Sequence, residues 1–429
     1  MFEELVVYTA LSGGLLLVLA RAARGRVRRA LSTAIAACAL AFLLQCSILE
    51  RSPAGLIGLT SSLIGLVAVL SAYSLVDEDV SAHNALILAL CSSSVLLATS
   101  TDLIRLFMAW EILSASVVAL TAYHRDREGA EAAMKYVMLC GAGTALALSG
   151  VTLVVVETGS TSLEAVYSAS PLAKVLLLTG FGVEAAIFPL HFWLPDAHMA
   201  APSTASAVLS GVAIESAAVL VFRLVGSDAF ARAVVAPLAL AGALVGNFSA
   251  YRQDDLKRLL AFSSVANVNY ILLAWASGNA LATKFAFLHI FAHGLLKASL
   301  FIVAGVLLTA YGTRLLSKLS GAASKNNALR LTVVFAALGL TGAPPLPTFW
   351  SELYIGVGLF QYSTVLGLGF LLSVVVSFAY YFRVMYTLVT GSREGGLREN
   401  LPVILALTLI VVGIAASPIY STIIEYFSI

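Results

Sequence analysis

From Leu5 to Ile424 the chain is a succession of apolar stretches separated by short polar segments. A helix of about 20 apolar residues crosses the hydrocarbon core of a bilayer. A water-facing surface cannot be built from this sequence. Charged residues make up 11% of the 429 and hydrophobic residues 60%, whereas a soluble domain carries about 25% charged residues. The runs are also too long and continuous for a membrane β-barrel, whose strands alternate in polarity over about 10 residues. The expected fold class is an all-α polytopic membrane protein.

The runs fall at 4–20, 30–49, 54–76, 83–100, 102–123, 132–156, 171–199, 203–225, 233–250, 257–277, 284–310, 330–362, 364–389 and 401–424, which predicts about fourteen transmembrane helices. The basic residues test that count, because they collect on cytoplasmic loops. Seventeen of the 25 lysines and arginines lie on alternate connections: Arg21 to Arg29, Arg125 to Lys135, Arg252 to Arg258, Arg314 to Arg330, and Arg393 with Arg398. The opposite side holds Arg51, Arg105, Lys174, Arg223, Arg232 and Lys284, and Lys297 and Arg383 lie within helices. The asymmetry predicts a multi-pass protein of the cell membrane with both termini outside the cytoplasm. The segment Met1-Phe2-Glu3-Glu4 lacks the basic region of a signal peptide, so the first run reads as a helix. Cys38, Cys46, Cys91 and Cys140 lie inside apolar runs without metal-like pairing and read as small apolar side chains.

Two runs are too long and carry prolines where a helix should continue: Phe188-Pro189-Leu190-His191-Phe192-Trp193-Leu194-Pro195 and Gly342-Ala343-Pro344-Pro345-Leu346-Pro347. Proline removes a backbone donor and clashes with the preceding turn. Within a bilayer, such a break persists only where protein or a hydrated cavity satisfies the freed groups. Pro189, Pro195, Pro344 and Pro345 therefore mark broken helices seven and twelve. Paired breaks in two halves are the sign of inverted-repeat transporters. Ordinary proline kinks are the other reading.

Ionisable groups at membrane depth are expensive and hence functional candidates. Glu111, Glu184, Glu215 and Glu352 lie within apolar runs, and His289, His293 and Lys297 recur every four residues on one helical face. Neutral histidine both donates and accepts a hydrogen bond, so such a face suits proton transfer. A histidine stripe that only packs helices is the alternative.

Longer motifs make the pattern specific. Pro189 to Gly211 reads PLHFWLPDAHMAAPSTASAVLSG, Trp110-Glu111 precedes it, and Asp255-Leu256-Lys257-Arg258-Leu259-Leu260-Ala261-Phe262-Ser263-Ser264 follows it. His289, His293 and Lys297 come next, then Gly342 through Trp350. Over roughly residues 100–355 the chain resembles the antiporter-like subunits of respiratory complex I, Mrp-type sodium/proton antiporters and membrane-bound hydrogenase-related complexes. Its WLPDAH form is nearer the Mrp and hydrogenase branch than the distal subunit of complex I.

The resemblance implies two inverted five-helix repeats, each with an ion half-channel. It divides the chain into N-terminal helices (1–100), a first repeat (101–225, about helices 4–8 and starting near 83), a second repeat (226–389, about helices 9–13) and a C-terminal helix (390–429). It implies ion-translocation roles for Glu111, Lys257, His289, His293, Lys297 and Glu352. It normally pairs the Glu111 position with a lysine, but Glu184 and Glu215 stand where family lysines do. The expectation is a cluster of Glu111, Glu184 and Glu215, whose carboxylates cannot all stay ionised in low dielectric. The cluster would share protons, hold a sodium ion, or signal loss of pumping in this subunit.

The sequence carries no cysteine cluster and no nucleotide loop, so no cofactor and no bond-breaking catalysis are expected in this chain. The resemblance implies a proton- or sodium-translocating subunit of a multisubunit respiratory complex, with redox chemistry in hydrophilic partners and related antiporter-like subunits beside it. A non-pumping structural subunit and an Mrp-type antiporter subunit are the alternatives. Nothing in the sequence points to nucleic acid.

Overall fold

The computed structural model describes residues 2–225, 228–393, 404, 407, 408, 411 and 419–429. The helices are α1 (Phe2–Ala20), α2 (Gly25–Leu49), α3 (Pro53–Leu75), α4 (Val80–Thr99), α5 (Leu103–Thr121), α6 (Arg127–Thr158), α7 (Pro171–Glu184), α8 (Trp193–Ala200), α9 (Ser203–Val208) and α10 (Ile214–Val225). They continue as α11 (Ala229–Tyr251), α12 (Leu256–Ala276), α13 (Ala280–Tyr311), α14 (Asn327–Leu340), α15 (Pro347–Tyr362), α16 (Thr364–Val389) and α17 (Ile419–Tyr426). Among the described residues, eleven helices are long and apolar enough to cross a membrane, counting α9 and α10 as one span. Two further spans are interrupted, between α7 and α8 and between α14 and α15. Most of the last expected span, 401–424, lies outside the described residues, as do Arg398 and the end of its loop.

Burial separates the helices. The apolar windows of α13 and α12 are 100% and 94% buried, whereas that of α1 is 22% buried. Outer helices turn leucine, valine and phenylalanine outward, as with Leu15, Val18 and Leu19 of α1 and Leu371, Leu372 and Val375 of α16. This is the inverse of a soluble fold and fits lipid as the solvent.

The elements of the first part recur in the second. A bridge pairs Asp102 with Ser162, and another pairs Asp255 with Leu315, each partner 153 positions on (102 to 255, 162 to 315). Asp102 and Asp255 cap α5 and α12 with their side chains. Helices α6 and α13 are both 32 residues long, start after Asp126 and Asn279 caps, and end on left-handed Gly159 and Gly312.

Both breaks lie close to the expected prolines, with one correction. Pro195 does not break a helix but sits in the first turn of α8, where no intrahelical partner awaits its missing N–H. The first interruption is Ala185 to Phe192, with Ala186 left-handed (φ 48°); the second is Thr341 to Leu346, with Gly342 left-handed (φ 67°). Protein groups satisfy the carbonyls freed at each. Trp193 Nε1 donates to Val183 O at 2.9 Å, Asn269 Nδ2 donates to Ala186 O at 3.2 Å, and the Thr348 hydroxyl donates to Gly339 O.

One irregularity was not legible in advance. Leu209 to Ala213 form a π-helical turn between α9 and α10. There Gly211 meets Gly294 of α13 so closely that a Cβ on Gly211 would lie 2.8 Å from Gly294 O. The extra residue of a π-turn rotates everything after it about the helix axis, and Glu215 lies in the first turn of the helix that follows.

Candidate functional site

The face of α13 carrying His289, His293 and Lys297 is turned to the protein interior, and all three side chains are fully buried. The His289 and His293 rings stack with centroids 5.6 Å apart and 5° between planes. His289 bonds through Nδ1 to Ser351 Oγ at 2.9 Å and through Nε2 to Asn267 Oδ1 at 3.1 Å. His293 Nδ1 lies 2.7 Å from Glu215 Oε1. Lys297 Nζ donates to Tyr381 OH at 2.7 Å, to Leu260 O at 3.3 Å and to the Ser263 hydroxyl. Three acceptors thus match the three N–H donors of an ammonium.

The row continues at both ends. Ser351, which holds His289, immediately precedes Glu352 on α15. The Glu352 carboxylate lies over Gly342, where a Cβ would come within 2.1 Å of Oε2, and it lines a cavity of about 290 Å³ with Phe349 and Phe370. At the other end, Lys257 donates to Ala201 O at 2.6 Å, just past α8. Although the sequence groups Lys257 with the loop cations, it is 2% exposed. His198 is fully buried nearby and stacks on Phe301 of α13 at 4.6 Å. Neither of its ring nitrogens has a protein partner, nor do His293 Nε2 and Glu215 Oε2. Buried polar atoms are seldom left so, and an internal water is the usual partner in such a place.

The first part of the chain is organised differently. Glu184 accepts from Ser114 Oγ at 2.6 Å and from the Tyr136 hydroxyl, whose oxygen also lies 3.1 Å from Ser114 Oγ. Glu111 accepts from Thr144 Oγ1 at 3.1 Å. Among the described residues, neither carboxylate forms an ion pair with a basic side chain.

The expected cluster of Glu111, Glu184 and Glu215 is therefore corrected. Glu215 bonds to His293 of α13, because the π-turn and the Gly211–Gly294 approach aim it there. Among the described residues no three histidine, cysteine or acidic side chains are gathered to hold a metal ion, so the three carboxylates do not form a shared sodium site. The partners Tyr136, Ser114, Asn267, Tyr381 and Ser351 escaped the sequence reading, and His198 and Ser263 stood in its motifs without a role. Their one signal was the presence of amides, hydroxyls and a histidine inside apolar runs.

Comparison with known proteins bears on the family and the fold. The family model described as "NADH:quinone oxidoreductase/Mrp antiporter, TM" matches residues 100–378. NADH-quinone oxidoreductase subunit N of Desulforudis audaxviator is 33% identical over 320 residues, covering 70% of this chain and 64% of that protein. Hydrogenase-4 component F homolog of Methylacidiphilum infernorum is 33% identical over 301 residues, covering 65% and 62%. The chain thus spans a little under two thirds of the length of these relatives. A chain of the membrane-bound sulfane sulfur reductase, an archaeal respiratory membrane complex, superposes with a TM-score of 0.88 at 22% identity, covering 99% of this chain and 97% of that one. A matched region of this extent, with the buried row inside it, makes the chain a member of the NADH:quinone oxidoreductase/Mrp antiporter transmembrane family.

Proposed function

We propose that this antiporter-like membrane protein translocates protons as one subunit of a multisubunit, complex I-related respiratory assembly. The observation that carries this reading is a buried row of two hydrogen-bonded pairs, Glu215–His293 and His289–Ser351, whose imidazoles stack 5.6 Å apart, flanked by Lys297 and Glu352. Titratable side chains four residues apart on a helix lie about 6 Å apart along its axis, a distance that one internal water bridges. Protons suit this row better than sodium, because its members are hydrogen-bond donors and acceptors rather than a convergent oxygen cage. The redox chemistry belongs to hydrophilic partner subunits, with no cofactor in this chain, and related antiporter-like subunits pack beside it.

Residues 80–225 and 229–389 act, on this proposal, as two inverted repeats. The 153-residue displacement spans five membrane crossings, an odd number, so matching helices run in opposite directions. Glu215 joins the repeats through His293. The unpaired carboxylates Glu111 and Glu184 favour a second reading for the first repeat alone, in which it has lost its lysine-dependent cycle and serves to dock and space neighbours.

The test is proton uptake by the purified complex reconstituted in vesicles with a trapped pH-sensitive dye and driven by its electron donor. Redox-driven acidification that falls several-fold in His293→Phe supports the proposal; equal uptake by wild type and variant removes it. Orientation is tested separately. A cysteine placed in the 21–29 loop should resist an impermeant thiol reagent in sealed cells and react after permeabilisation. Reaction in sealed cells would place that loop outside and reverse the proposed topology.

A further inference from the structure

The starts of α3 and α13, the ends of α4 and α10, and Ser428 and Ile429 surround a cavity of about 670 Å³ at one face of the bundle. Its walls are largely apolar, with Ile57, Phe222 and Phe287 among them, and two cations, Arg223 and Lys284, line it as well. Arg223 spends one N–H on Leu97 O at 2.7 Å. Among the described residues, neither cation has a carboxylate within ion-pair distance. Two of the other cations of the same face are ion-paired, Lys174 at 2.6 Å from Asp228 and Arg105 at 3.6 Å from Glu3, whereas Arg51 lies over the Tyr426 ring.

A pair of cations without ion-pair partners beside an apolar recess lacks a complement in the protein alone. It is satisfied by an occupant with an anionic head and a hydrocarbon body. We propose that this cavity binds an anionic phospholipid, its phosphate between Arg223 and Lys284 and its acyl chain against Ile57, Phe222 and Phe287. The position supports this occupant. The cavity is lined by the ends of membrane-crossing helices, which lie near the headgroups when the helices span a bilayer. Arg223 and Lys284 come from α10 and α13, the helices that carry Glu215 and His293. A bound lipid would therefore also pin these two helices together at one end of the row.

Trp275 reports on the site, because it stacks on Phe222 at 4.6 Å and lies 5.4 Å from Phe287. The purified complex would be reconstituted in phosphatidylcholine vesicles containing increasing dibromo-phosphatidylglycerol, with dibromo-phosphatidylcholine as the neutral comparison. Saturable quenching of tryptophan fluorescence with a preference for phosphatidylglycerol is expected. Arg223→Gln and Lys284→Gln should each weaken that preference about fivefold, the contribution of one basic side chain near anionic lipid. Lys284→Arg should retain it, which separates lost charge from lost fold. Equal quenching by the two lipids, or a preference unchanged in Arg223→Gln/Lys284→Gln, would overturn the proposal. Relief of quenching by millimolar inorganic phosphate would identify a free anion site and likewise overturn it.

Discussion

Replacing Lys297 by methionine is expected to lower redox-driven proton translocation by roughly a hundredfold, the lower range for a positioned proton-transferring group, with the complex still assembled. Assembly should survive because methionine has nearly the length of lysine and, among the described residues, Lys297 has no carboxylate within ion-pair distance, so no paired counter-charge is stranded. The groups left behind are not all stranded: Ser263 Oγ already donates to Leu260 O at 2.8 Å. Tyr381 loses its 2.7 Å contact with Nζ, a cost of about 1–3 kcal/mol if it finds no other partner. The row, by contrast, loses the station one helical turn beyond His293. Lys297→Arg sharpens the test. Arginine keeps the charge but does not release a proton, so it should assemble and pump as poorly as the methionine variant. Size-exclusion chromatography reads assembly and dye-loaded vesicles read pumping. Wild-type pumping by an assembled Lys297→Met complex would remove the residue from the path.

How much of this was legible beforehand follows from which forces are local. The spans were readable because each apolar run has to be long enough for the bilayer whatever its neighbours do. The face shared by His289, His293 and Lys297 was readable for the same reason, since four-residue spacing fixes it. The direction of Glu215 was not. It depends on the π-turn at 209–213, which in turn depends on an approach between Gly211 and Gly294, residues distant in the chain. The motif aligned Glu215 with a lysine and suggested a grouping with Glu111 and Glu184, but alignment carries no information on a local rotation. Pro195 misled in a milder way: proline reads as a breaker, yet at the start of a helix it costs nothing. Lys257 counted as a loop cation because it follows Asp255 at a helix start, yet it donates to Ala201 O just past α8 and is buried.

Glu215→Gln is expected to be the most informative single change, because it alters charge while sparing the contact that the structure shows. Glutamine retains an oxygen to accept from His293 Nδ1, which now lies 2.7 Å from Oε1. The loss in stability should be about 1 kcal/mol, the difference between a hydrogen bond to a charged and to a neutral acceptor. Pumping should nevertheless fall by roughly tenfold or more, since an amide neither takes up nor releases the proton that a general acid–base group would carry. Glu215→Ala makes the contrast: it strands His293, whose Nε2 already lacks a protein partner, and should cost a further 1–3 kcal/mol or so, visible as a lower unfolding temperature of the complex. Glu184→Gln completes the comparison. Its carboxylate is held by Ser114 and Tyr136 within the first repeat, so its loss leaves the link to α13 untouched. If the first repeat has lost its own cycle, Glu184→Gln should pump like wild type while Glu215→Gln does not. If both fail equally, the first repeat feeds protons through Glu215 into the row. Normal pumping by Glu215→Gln would mean that the two repeats are not joined at this carboxylate, whatever the rest of the row does.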